Sequence, residues 1–213
     1  MNNARDSILN NLRRQQKSSQ PCCIASEALT KSTLVDMIKA LVENLESTHT
    51  EVHQLDRSQL LEWFNKTFSQ LNVKRVLTGE GLFADLGLDV NLINANIDEY
   101  VEDIQTHKSV LFNDIEVGIT TTIGAIASSG SLVVCPSEKE PRLLSLVPPI
   151  HIAIVLKEQV VNTFPQVIEH QQRHHHIHTT LVLISGPSKT ADIEQVLAYG
   201  VHGPKKLITL IIT

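Results

Sequence analysis

Four short runs constrain the fold of this chain more than anything else in it: VVC at 133–135, IAIVL at 152–156, LVLI at 181–184 and LITLII at 207–212. Each is apolar on both faces of an extended strand. Burial on both faces is what a central, largely parallel sheet imposes when helices cover it. Between and before these runs the apolar period changes to that of helices. Leu34, Ile38, Leu41, Val42 and Leu45 make one stripe over 32–46. Leu60, Leu61, Phe64, Phe68 and Leu71 make another, with Ser58 as the expected cap.

Further elements follow from local pattern. Strands are expected at Glu51–Gln54, Val73–Leu77, Leu88–Ile93, Ile115–Thr120 and Leu132–Cys135. Thr78–Gly81 reads as a turn into a short helix over Leu82–Leu86. Ser128-Ser129-Gly130-Ser131 suits a hairpin turn or a close backbone approach. A short helix over 138–147 ends at Pro148-Pro149, and a longer one over 158–172 carries Pro165 in its first turn or at a kink. The stretch 179–213 reads as strand, Gly-Pro loop, short helix, Gly-Pro loop, strand. The expected architecture is therefore α/β: a mostly parallel sheet flanked by helices in one domain, 30–213. An N-terminal helical arm and linker, 1–29, precedes it, with Ile8 and Leu12 on one helix face.

Charge and cysteine usage exclude some functions. The net charge is −5 and no Lys/Arg run exceeds two residues, which speaks against nucleic acid as a partner. The three cysteines, Cys22, Cys23 and Cys135, include an adjacent pair and form no C-x-x-C. A reduced, cytoplasmic chain is expected, with no iron–sulfur or thiolate zinc site of its own. No window approaches the roughly 18 apolar residues of a membrane span, and no signal-peptide pattern opens the chain.

Several residues have chemistry to offer, each with a plainer role beside it. Ser185, Gly186, Ser188, Lys189 and Thr190 form either an anion-binding loop at a helix start or a well-capped helix N-terminus. Asp192 and Glu194 in the same turn oppose a phosphate. His202, before Gly203-Pro204, is a candidate acid or base, or the C-terminal partner of that helix. His151 opens an apolar strand. It is a satisfied strand-end residue, or with Arg142 it holds a carboxylate. His170, His174, His175, His176 and His178 cluster without a His-Glu-x-x-His motif, so adventitious metal binding is the better reading. The small-residue run Gly118–Gly130 lacks G-x-G-x-x-G, so a classical dinucleotide fold has no support.

Five motifs in order carry a resemblance: Gly118-Ile119-Thr120, AIASSGSLVV at 125–134, Arg142 through Ser145-Leu146-Val147-Pro148-Pro149-Ile150-His151, ISGPSKTADIE at 184–194 and GVHGP at 200–204. Together they resemble the lactate-utilization protein C family, whose domain is called LUD or YkgG-like. The resemblance implies a fold like the NagB/RpiA/CoA-transferase group. It also implies a subunit or accessory role in oxidising L-lactate to pyruvate, with iron–sulfur and cysteine-rich partner proteins carrying the redox centres. This chain would then bind no cofactor alone. A pocket at the carboxyl ends of the sheet, lined by Arg142, His151, Ser185, Gly186, Ser188, Lys189, Thr190, His202 and Gly203, would take a small carboxylate. Relatives usually carry an acid in the AIA-x-x-G step, where this chain has Ser128 and Ser129. The alternatives are a free-standing sugar-phosphate or CoA-type enzyme, and a binding module without chemistry.

Overall fold

The structure, a computed structural model, describes residues 33–100, 111–173, 180–191, 197–200 and 202–213, together with Arg5, Leu9 and Asn10. The chain divides into Met1–Ser32 and Thr33–Thr213, and every element below belongs to the second unit. The expected helical arm lies outside the described residues apart from those three.

Among the described residues the α-helices with both ends placed are, in chain order, α1 (Leu34–Ser47), α2 (Leu60–Gln70), α3 (Leu82–Asp85) and α4 (Phe164–Arg173). The strands are β1 (Glu51–Leu55), β2 (Arg75–Thr78), β3 (Asn96–Glu99), β4 (Val117–Thr121), β5 (Gly124–Ile126), β6 (Ser131–Val134), β7 (Ile150–Leu156), β8 (Val160–Val161), β9 (Val182–Ile184), β10 (Lys189–Ala191), β11 (Leu197–Tyr199) and β12 (Lys206–Ile212). The central sheet runs β1-β12-β7-β4-β2-β3, and all its pairings are parallel. A second sheet, β8-β5-β6-β9, is mixed, and β10 with β11 forms an antiparallel pair.

Side-chain alternation along β7 and β12 explains the layers. Ile152, Ile154, Ile208, Leu210 and Ile212 face α2 and α3, packing on Phe64, Phe68 and Phe83. Ala153, Val155, Leu207 and Ile211 face the other way, against Leu41 and Leu45 of α1 and Ala125 and Leu132 of the second sheet. Each fully buried Val, Leu, Ile or Phe side chain among these contributes about 2 kcal/mol by removal from water. The α1 start is fixed by a capping box: the Asp36 N–H donates to Thr33 Oγ1, and the Thr33 N–H donates to the Asp36 carboxylate.

Some expectations need correction. VVC and LVLI do not join the central sheet: β6 and β9 pair antiparallel in the second sheet. Both faces of β6 are covered all the same, which is why its apolar run looks like a central strand. Val90–Leu92 is a single 3₁₀ turn held by the Asp89 side chain, and the strand comes later, at Asn96–Glu99. Asp56 takes the cap expected of Ser58, through reciprocal bonds with Gln59. After the first Gly-Pro loop the chain enters β10 at Lys189 rather than a helix. Residues 179–213 are therefore not one βαβ unit, and the helix-dipole case for an anion at Ser185–Thr190 falls with it. Asp192 and Glu194 lie outside the described residues.

Candidate functional site

Two clefts lie at opposite ends of the central sheet. The first, about 210 Å³, sits at the amino ends of β7 and β12. Six of the residues singled out above line it: His151, Ser185, Gly186, Ser188, His202 and Gly203. The two Gly-Pro loops meet here, because the Ser188 N–H donates to the Pro204 carbonyl at 2.8 Å. The Lys205 and Lys206 N–H groups both donate to the Pro149 carbonyl, which ties the second loop to the Pro-Pro step before β7. The Ser185 hydroxyl is 2.8 Å from that of Ser131, which accepts from Ser129 Oγ at 2.9 Å. Ser129 thus has a clear position, on a hydroxyl chain running from the β5–β6 turn to the cleft.

His151 forms part of the cleft wall and is fully buried. Its Nε2 shares a 2.9 Å hydrogen bond with Thr120 Oγ1 from the neighbouring strand, and its Nδ1 has no hydrogen-bond partner. Burial holds the imidazole down at about 4, so the ring is neutral at neutral pH. The expected Arg142–His151 clamp is not assembled. Arg142 is exposed on the 3₁₀ turn Arg142–Ser145 and does not line the cleft. Lys189 and Thr190 open β10 and do not line it either. The position also differs from expectation. His151 is the second residue of a parallel strand, and His202 precedes one, so both belong to the amino ends.

The carboxyl-end crevice is the larger, about 400 Å³. Thr121 and Thr122 at the end of β4, Ile154 and Leu156 on β7, and Gln159 just beyond form its base and one wall. Leu82 and Leu86 close it from the α3 side. The loop after β6 folds over it and delivers Cys135, Ser137, Lys139 and Glu140. Glu140 is the group that reading the sequence missed. Its carboxylate accepts from the Thr121 N–H at 3.0 Å and from Thr121 Oγ1 at 3.0 Å. Burial pushes its carboxyl above the ordinary range, against the pull of those bonds. Burial likewise raises the Cys135 thiol, and the charge of Glu140 adds to it. Glu140 sits in an EKEP run that looks like solvated helix surface. Its stem packs so closely on Gly79 that a Cβ there would collide with Glu140 Cγ, a contact that only the fold reveals.

Among the described residues no cluster of three or more His, Cys, Asp and Glu side chains is arranged to hold a metal ion, and no helix is long and apolar enough to cross a membrane. His170 lies on α4; His174, His175, His176 and His178 lie outside the described residues.

Fold and clefts together define an α/β protein with a parallel six-stranded sheet and a ligand-sized cleft at each end. The chain belongs to the LUD domain family, whose model matches residues 38–212. An uncharacterized protein of Neisseria meningitidis serogroup B is 32% identical over 185 residues, covering 84% of this chain and 78% of that protein. A lactate utilization protein C from Macrococcus caseolyticus is 30% identical over 198 residues, covering 87% of this chain and 82% of its own length. One from Shouchella clausii is 28% identical, covering 87% and 83%. The fold is also that of a crystal structure of a DUF162 family protein from Deinococcus radiodurans. That likeness has a TM-score of 0.64 at 19% identity and covers 85% of this chain and 99% of that one.

Proposed function

We propose that this chain works in lactate utilization, as a partner-dependent component of a system that oxidises L-lactate to pyruvate. The observation that carries the reading is the alignment of 87% of the chain with relatives named lactate utilization protein C. In this reading the redox centres sit in iron–sulfur and cysteine-rich partners, and the NagB/RpiA/CoA-transferase-like scaffold supplies a binding surface. The amino-end cleft takes the small carboxylate. Its volume suits a three-carbon hydroxy acid, and Ser185, Ser188 and His202 offer donors. No Lys or Arg lines that cleft among the described residues, and buried His151 is neutral. A carboxylate bound there lacks a counter-charge, which a partner seated over the cleft mouth would provide. That is a physical reason for partner dependence.

The test is genetic and biochemical together. A strain lacking this chain should fail to grow on L-lactate as sole carbon source, and the wild-type chain should restore growth. His202→Ala should restore it poorly. Affinity purification from lactate-grown cells should bring down iron-containing partners. Robust lactate oxidation by the purified chain alone would overturn the partner-dependent reading, and normal lactate growth of the deletion strain would overturn the role itself.

A further inference from the structure

The carboxyl-end crevice is left unused by the reading above, yet it has the size and the place of a ligand site. In open parallel sheets the crevice beyond the carboxyl ends of the strands is where ligands bind. At about 400 Å³ it is larger than a three-carbon acid needs.

Its walls differ in character. Leu82, Leu86, Ile154 and Leu156 form an apolar side continuous with the core packed under α2 and α3. Beside them stand the polar groups Thr121, Thr122, Gln159 and Glu140. Each of these polar groups is held in place by the fold. Thr122 Oγ1 donates to the Ile154 carbonyl at 3.0 Å. Gln159 Oε1 accepts from the Leu156 N–H at 2.9 Å, which leaves the amide nitrogen as the group for a ligand. Glu140 receives only hydrogen bonds from Thr121, and among the described residues no ion pair to a cation is seen for it. Carboxylate oxygens keep acceptor capacity beyond those bonds. The occupant that satisfies Glu140 therefore brings donors.

The balance of charge selects further. Glu80, Asp85 and Glu140 line the crevice against Arg57 and Lys139, and Lys139 already pairs with Glu80 at 3.6 Å. A phosphate would meet more negative than free positive charge. An uncharged ligand with one apolar, flat part and one part bearing adjacent hydroxyls matches both kinds of lining group. Arg57, exposed at the rim, can lay its planar guanidinium on such a ring.

We propose that the carboxyl-end crevice is a second ligand site, one that binds a nucleoside-type ligand with its ribose hydroxyls on Glu140 and its base against Leu82, Leu86 and Ile154. The site is independent of the lactate reading, since it shares no residue with the amino-end cleft.

The test is calorimetric titration of the full chain with adenosine, AMP and ribose. Adenosine should bind saturably, more tightly than AMP, which carries the phosphate, and than ribose, which lacks the base. Glu140→Gln should weaken adenosine by about tenfold or more, the loss of a charge-assisted hydrogen bond. Gly79→Ala should weaken it as well, because the added Cβ displaces Glu140 without changing its chemistry. A melting curve on each variant confirms that it is folded. Absence of saturable adenosine binding at millimolar concentration would overturn the proposal. So would AMP binding more tightly than adenosine, or unchanged affinity in both folded variants.

Discussion

His151 and Glu140 are the two titratable side chains that the fold takes furthest from water at its clefts, and they answer to pH in opposite senses. In the unfolded chain the His151 ring gains its proton near 6.5, in the folded chain only near 4. Between those values the unfolded state holds the extra proton, so stability falls as pH drops through that window and levels off below it. The loss amounts to about 3 kcal/mol. Urea denaturation at steps from pH 7 to pH 4 should show it in wild type, and a His151→Asn variant should not; parallel curves for the two would remove the assignment. Glu140 runs the other way. Its carboxyl ionises at a higher pH when folded than the ordinary 4.5. The folded state then holds the extra proton just above 4.5, and this group's contribution declines as pH rises through the window. Gln does not titrate and still accepts from Thr121. The melting temperature of Glu140→Gln should therefore gain on wild type between pH 4 and pH 7. A difference independent of pH would mean that the carboxylate is not desolvated.

At the scale of elements, the 3₁₀ turn Arg142–Ser145 and the Pro148-Pro149 step set the approach to β7, and they do so by lying directly on β4. Gly118, paired with His151 in register, is the point of closest approach. A Cβ there would overlap the Leu144 carbonyl and come within 2.9 Å of Pro148 Cγ. Gly118→Ala should destabilise the protein by about 1–3 kcal/mol in chemical denaturation, the overpacking range, because backbone rather than a flexible side chain must yield. An unchanged midpoint would show that the turn can lift away. This contact also marks what the sequence could and could not tell. β7 and β12 were legible because burial on both faces leaves no polar residue in alternation, and α1 and α2 because their stripes are long. β6 and β9 carry the same apolar signature for a different reason, so their sheet was misread. The helix expected after Pro187 failed because Ser-Lys-Thr is as good a strand entry as a cap, and only the β11 partner at Leu197–Tyr199 decides between them. Glu140 was invisible because its burial comes from a loop folding over Gly79 and Thr121, residues some 61 and 19 positions away in the chain.

For the molecule as a whole, the parallel direction of every central strand separates the two clefts cleanly. Loops entering β7 and β12 build one end, and loops leaving β4 and β7 build the other. The five steps of β7 from His151 to Leu156 put about 16 Å between them at the usual rise of a parallel strand. That exceeds the roughly 7–10 Å within which substitutions couple strongly. The sheet between the clefts is also filled on both faces by buried aliphatic and aromatic side chains. The ends should therefore act as independent sites on one rigid frame. The stability changes of His202→Ala and Glu140→Gln should add in the double variant to within about 0.5 kcal/mol. His202→Ala should leave the adenosine titration where it is in wild type while lowering growth on lactate. Coupling of more than about 1 kcal/mol between the two substitutions, measured by a double-mutant cycle, would show that the sheet transmits between its ends and that the clefts form one functional unit.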